Sequence, residues 1–244
     1  MSVWGKLGGA AAGFAVGGPI GALLGVVAGH LIVDRTGGDG RNVLIKASEG
    51  VGFTIAMIAL SAKMAKADGV VTQEEIDTFG DLIDVPQEEG PNVRRIFDLA
   101  KRDTAGFREY AHQIAAMYRG NPAGLEDIID ALFEIAKADG VLHAGELSFL
   151  QEVADIFGFT PAEFRRIRAT HFGAEGGDPY VVLGVAYEAD DEEVKRAYRK
   201  LVRENHPDAM IARGVPEEFV RLANVKLAAI NGAYEKISRE RGIN

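Results

Sequence analysis

The chain of 244 residues contains no cysteine, which excludes disulfides, thiol nucleophiles and thiolate metal sites. It has one tryptophan and five scattered histidines, so spacing yields neither a histidine metal cluster nor a nucleophile–histidine–acid arrangement. It also lacks the glycine-rich phosphate loop of an ATPase. Runs of alternating strand residues are missing: from Lys46 to His171 the apolar positions recur at helical spacing. A basic excess is missing as well, with 36 Asp and Glu against 27 Lys and Arg and a net charge of −9. Between Lys46 and Glu175 alone, 22 acidic residues face 13 basic ones, which disfavours a nucleic-acid partner. The helical spacing predicts an all-α protein, and without a phosphate loop the chain should carry no ATPase of its own; no enzyme activity and no cofactor are expected.

Charge is withheld most completely at the N-terminus, where the 27 residues from Leu7 to Val33 include no Asp, Glu, Lys or Arg. As a helix, such a run is long enough for a hydrocarbon core of about 30 Å. Gly9, Gly13, Gly17, Gly21, Gly25 and Gly29 recur every fourth residue, continuing from Gly5. Small residues at that spacing let helix backbones approach in lipid, so the series predicts self-association, most simply a homodimer. Pro19 should kink the span, and a re-entrant hairpin turned at Gly17-Gly18-Pro19 is the competing geometry. Lys6 and the α-amine precede the run, while Arg35, Arg41 and Lys46 follow it, which favours a cytoplasmic location for the rest of the chain. Residues 1–34 are therefore read as a transmembrane anchor.

The middle segment, 46–171, contains an internal echo. Met64-Ala65-Lys66-Ala67-Asp68-Gly69-Val70-Val71 matches Ile135-Ala136-Lys137-Ala138-Asp139-Gly140-Val141-Leu142, and Glu75 and Glu146 keep the same offset. Each copy reads as an apolar helix, an Asp-Gly turn and a second helix rich in Glu at its start; two such hairpins pack into one bundle. This segment resembles the TerB-like domain associated with tellurite resistance. The resemblance implies Asp68, Glu75, Asp139 and Glu146 as candidate oxygen ligands for a hard cation. The same residues also serve turn geometry and the helix dipole, and the Asp68-Gly69-Val70-Val71-Thr72 run lacks the alternating ligands of an EF-hand. No metal is assigned.

A short linker, Phe172 to Gly177, leads to the segment 178–244. Here Glu192 to Glu204 forms an amphipathic helix, with Val194, Ala197, Tyr198, Leu201 and Val202 on one side and Lys195, Arg196, Arg199, Lys200 and Arg203 on the other. Pro207 ends it, presenting His206 and Asp208 in a loop that runs to Pro216. A second helix follows, with Phe219, Leu222, Ala223, Lys226, Leu227, Ile230, Ala233, Tyr234 and Ile237 in its apolar periodicity. The order Asp178-Pro179-Tyr180…Leu183-Gly184, Ala197-Tyr198-Arg199-Lys200-Leu201, His206-Pro207-Asp208 and Ile230-Asn231-Gly232-Ala233-Tyr234 resembles a J domain, built on a helical hairpin.

That resemblance implies docking on a DnaK-type heat-shock chaperone and stimulation of the chaperone's ATPase. His206, Pro207 and Asp208 would be the signalling turn and Lys195, Arg196, Arg199, Lys200 and Arg203 the docking face. Tyr180, Leu183, Tyr198, Leu201, Ile230 and Tyr234 would be core. The family usually carries Lys after the His-Pro-Asp turn; this chain has Ala209. Anchor, TerB-like bundle and J domain in that order resemble the DjlA type of bacterial inner-membrane co-chaperone, single-pass with cytoplasmic C-terminal domains. The alternative is a membrane-bound sensor or scaffold of metal or envelope stress, in which the J-like unit only docks.

Overall fold

The computed structural model describes residues 54, 56–64, 106–137, 140–172 and 177–243. Among them all regular structure is helical, as the periodicity requires. The glycine series, the N-terminal apolar run and Asp68, Glu75 and Asp139 lie outside the described residues. Within those residues no helix is long and apolar enough to cross a membrane.

Four helices, α1 (Phe107–Met117), α2 (Pro122–Ala136), α3 (Ala144–Phe157) and α4 (Pro161–Phe172), pack with a helical stretch at 56–64. Their boundaries follow from local chemistry. Asn121 accepts from the Gly124 N–H at 3.0 Å, and Pro122 takes the first position of α2, where a missing donor costs nothing. Glu146 accepts from the His143 N–H at 2.9 Å to open α3, and Gly158 closes it at φ 89°. Thr160 and Glu163 exchange hydrogen bonds of 2.7 and 3.3 Å to open α4.

The C-terminal segment forms α5 (Pro179–Leu183), α6 (Asp191–Glu204), α7 (Pro207–Ala212), a 3-10 turn at Glu217–Phe219 and α8 (Val220–Arg241). Asp190 and Glu193 cap α6 reciprocally at 2.7 and 3.0 Å. The α6 and α8 helices pack through Tyr198 and Tyr234, whose rings stack 4.1 Å apart, and Tyr198 donates to Asn231 at 3.0 Å. The sequence reading leaves 205–216 as loop, but the structure restarts a helix within it. Pro207 breaks α6 and is also pre-organised for the first position of a new helix, with extended His206 as its cap.

Among the described residues two apolar cores result. The second holds Tyr180, Val182, Leu183, Ala189, Val194, Ile230, Ala233 and Ile237, with Tyr198, Leu201 and Tyr234 packed against it. The first unites the 56–64 stretch and helices α1 to α4 with Met210, Val215, Phe219, Leu222 and Ala223. Helix α8, about 33 Å long at 1.5 Å per residue, thus gives its N-terminal half to one core and its C-terminal half to the other. Phe219 and Leu222 are fully buried there, each contributing roughly 1.5–3 kcal/mol of apolar burial.

Candidate functional site

The cationic face of α6 survives folding. Among the described residues, Lys195, Arg196 and Lys200 meet only carboxylates of their own helix, at 3.7 Å to Glu192, 3.9 Å to Glu193 and 4.0 Å to Glu204. Pairs this long and this exposed contribute little and give way readily to a partner. Arg199 and Arg203 are exposed, and among the described residues no carboxylate is placed against them.

His206 and Asp208 stand at the end of this face, with side chains 55% and 90% exposed. The imidazole Nδ1 accepts from the Asp208 N–H at 3.3 Å, which in the neutral ring puts the proton on Nε2. Pro207 locks the turn between them. A cleft of about 420 Å³ opens beside the turn, lined by Tyr198, Arg199, Val202, Arg203, His206, Asp208 and Ala209. The structure therefore brings together the two arginines nearest the turn with His206 and Asp208, while Lys195, Arg196 and Lys200 extend the positive surface along α6. The arrangement offers an exposed anion beside cations and an apolar floor.

Behind the turn lies a cluster that sequence reasoning did not single out. Helix α2 turns Glu126, Asp127, Asp130 and Glu134 to one side, Asp130 lying four and three residues from the first two and Glu134 four residues further on. Arg213 grips Asp127 with two hydrogen bonds, 2.7 Å from Nε and 2.9 Å from Nη2, and donates from Nη1 to the Glu204 carbonyl at 2.6 Å. Lys226 lies 2.6 Å from Asp130, 3.2 Å from Asp127 and 3.5 Å from Glu126. Arg166 pairs with Glu126. His171 bridges Asp130 at 2.7 Å and Glu134 at 2.6 Å, and Lys137 reaches Glu134 at 2.6 Å.

Burial opposes charge on His171, but hydrogen bonds to Asp130 and Glu134 outweigh it and raise the imidazole above its ordinary value. Burial likewise opposes the Lys226 ammonium, yet Asp130, Asp127 and Glu126 raise its pKa. For Asp130 burial works against ionisation, and the Lys226 charge with the His171 hydrogen bond reverses it, holding the carboxyl well below the usual range. The signal was present in the sequence: Lys226 is a cation within an apolar stripe, and a buried lysine requires buried carboxylates.

Of the metal candidates, only Glu146 is described. Its buried carboxylate accepts from the His143 N–H, the helix-opening role.

Comparison with known proteins divides the chain into three matched segments. Residues 1–48 match the co-chaperone DjlA transmembrane domain, 54–169 the tellurite resistance protein TerB family and 178–241 the DnaJ domain. The chain is 33% identical over 277 residues to the co-chaperone protein DjlA of Photobacterium profundum, covering 98% of this chain and 99% of the relative. It is 34% identical over 242 residues to that of Shewanella oneidensis, covering 88% and 89%. Against that of Escherichia coli (strain K12) it is 28% identical over 269 residues, covering 99% of both. No solved structure matches at a significant level.

Proposed function

The chain belongs to the DjlA family of membrane-anchored, DnaJ-like co-chaperones, and on that premise we propose that it docks on a DnaK-type heat-shock chaperone and stimulates that chaperone's ATPase. The observation that carries this reading is the exposed His206-Pro207-Asp208 turn at the end of a cationic helix, with the cleft between them.

Encounter is electrostatic. Lys195, Arg196, Arg199, Lys200 and Arg203 attract an acidic patch on the chaperone and orient it along α6. Tyr198, Val202 and Ala209 then give an apolar side chain of the partner a seat between Arg203 and His206. Ala209 adds no charge of its own there, so the cations on this side of the cleft are Arg199 and Arg203. Asp208, with its carboxylate in water in the free protein, pairs with a chaperone arginine once the interface excludes solvent, where a charge-assisted hydrogen bond gains strength. His206, braced by the Asp208 N–H, has its Nε2 proton free for a chaperone carbonyl or carboxylate. This chain supplies contacts, and the chemistry on ATP is the chaperone's.

On this reading the anchor holds these events at the bacterial inner membrane, as a single pass with the C-terminal domains in the cytoplasm, where ATP and the chaperone are. Gly9, Gly13, Gly17, Gly21, Gly25 and Gly29 would pair two copies there. The test is single-turnover ATP hydrolysis by a DnaK-type chaperone, with the full chain in detergent micelles beside its His206→Gln form. Acceleration by the wild type alone, with equal helix content in both, is the expected result. Equal rates with and without the wild-type chain sink the reading.

A further inference from the structure

We infer that the helical bundle is a working part of the J site: Arg213 is a positioning residue that fastens the His206-Pro207-Asp208 turn to Asp127 and Asn121 of the bundle. This rests on the chaperone-stimulation reading and extends it to residues behind the turn.

The turn is held from both of its flanks. Arg213 Nη1 takes the Glu204 carbonyl, two residues before His206, while its Nε and Nη2 take both oxygens of Asp127. The carbonyl of Arg213 in turn accepts from Asn121 Nδ2 at 3.0 Å. One side chain thus clamps the exit of α6 to the exit of α7 and fixes both to the start of α2. A guanidinium can do this because its N–H donors point outward within one plane in several fixed directions; an ammonium, a single point of charge on a flexible stem, does not reproduce that fork.

Helix α7, six residues long, is too short to hold its own shape in water. Its position is set by what it rests on, and that is the bundle. Met210 and Val215 are buried in the bundle's core, and Gly214 at φ 96° makes the tight return between them. His206 and Asp208 are presented from the outer side of an element whose inner side belongs to the other module.

Charge distribution points the same way. The bundle supplies its own cations for Glu126, through Arg166, and for Glu134 and Asp130, through His171 and Lys137. The cations against Asp127, whose side chain is fully buried, are Arg213 and Lys226, both from the C-terminal segment. A buried carboxylate whose cations come from the other module marks the α2 surface as a seat built for that module.

The experiment uses the full chain in micelles, with Arg213→Ala, Arg213→Lys, Asp127→Asn and Asn121→Asp. The last is mild: Asp still caps α2, but it turns an acceptor toward the Arg213 carbonyl in place of a donor. Single-turnover chaperone hydrolysis, titrated with each variant, separates half-saturation from maximal rate. Asp127→Asn and Asn121→Asp should lower the maximal rate at least threefold with half-saturation within twofold of wild type, since α6 is unaltered. Arg213→Lys should fall between wild type and Arg213→Ala. Loss of fold alone would instead lower the active fraction and the melting temperature together.

Amide hydrogen exchange of 206–215 is read in parallel. It should accelerate at least tenfold in Asn121→Asp and Arg213→Ala while α3 keeps its protection. Unchanged exchange overturns the inference whether or not the chaperone responds to the wild type. Accelerated exchange with an unchanged maximal rate overturns the positioning role. A silent wild type with accelerated exchange in the variants indicts the chaperone reading and leaves the clamp standing.

Discussion

Lys226→Met tests the buried ionic cluster directly. Methionine keeps most of the length of the side chain and removes the ammonium that lies 2.6, 3.2 and 3.5 Å from three carboxylates. Lys226 is 2% exposed, and Asp127 and Asp130 are 0% and 1%, so water cannot replace it without opening the interface. Breaking a buried pair by removing one partner typically costs about 3–5 kcal/mol. Asp127 retains Arg213 and Asp130 retains His171, which places this case at about 3 kcal/mol, the lower end of that range. For a chain of this size, that cost lowers the melting temperature by about 6–12 °C.

The assay is thermal unfolding followed by circular dichroism at pH 6, repeated for Asp130→Asn and for the double variant. Removing both charges should cost less than the sum of the single changes. A shift below 2 °C for Lys226→Met, or strictly additive costs, would refute the argument. An acid limb gives a further check. Lys226 helps hold Asp130 below its ordinary value of 3.8, so the stability that Asp130 contributes is present above that value and lost as pH falls through its folded pKa. Removing Lys226 raises the folded pKa, and acid unfolding should begin at higher pH.

Other outcomes follow from the same geometry. His171 has its pKa raised above 6.5, so its contribution is complete below that value and fades as pH rises through the folded pKa; the wild type should lose stability on the alkaline side and His171→Gln should not show that slope. Arg199→Glu with Arg203→Glu should raise the concentration for half-maximal chaperone stimulation by about tenfold and flatten its salt dependence, since rim charges act mainly on encounter. Equal salt slopes in the variant and wild type would contradict steering by α6.

Sequence made the all-helical architecture and its family legible, because caps and periodicity are local. Asp190 and Glu193, three residues apart, announce the start of α6 as plainly as they cap it. Pro207 was legible as a stop and not as a start, because only the bundle beneath Met210 makes a six-residue helix worth forming. Lys226 in its apolar stripe signals that buried carboxylates exist, but which carboxylates they are was not legible, for a different reason. Acidic residues spaced by three and four on a helix look alike whether they face water or a lysine, and Asp127 lies 86 residues from Arg213 and 99 from Lys226. In the sequence the excess of negative charge between Lys46 and Glu175 reads as a surface property; in the fold, part of it points inward.

The sharing of α8 between two cores has a consequence for how the protein is made. Synthesis proceeds from the N-terminus at about 5–20 residues per second, so the 99 residues separating Asp127 from Lys226 take on the order of 5–20 s to appear. In the later part of that interval, once α4 is complete at Phe172, the bundle still lacks Phe219, Leu222 and Lys226, which leaves an apolar gap and under-neutralised carboxylates on α2. The final helix closes both halves in one event, and a ribosome that stops short of Phe219 leaves the bundle in its unfinished state.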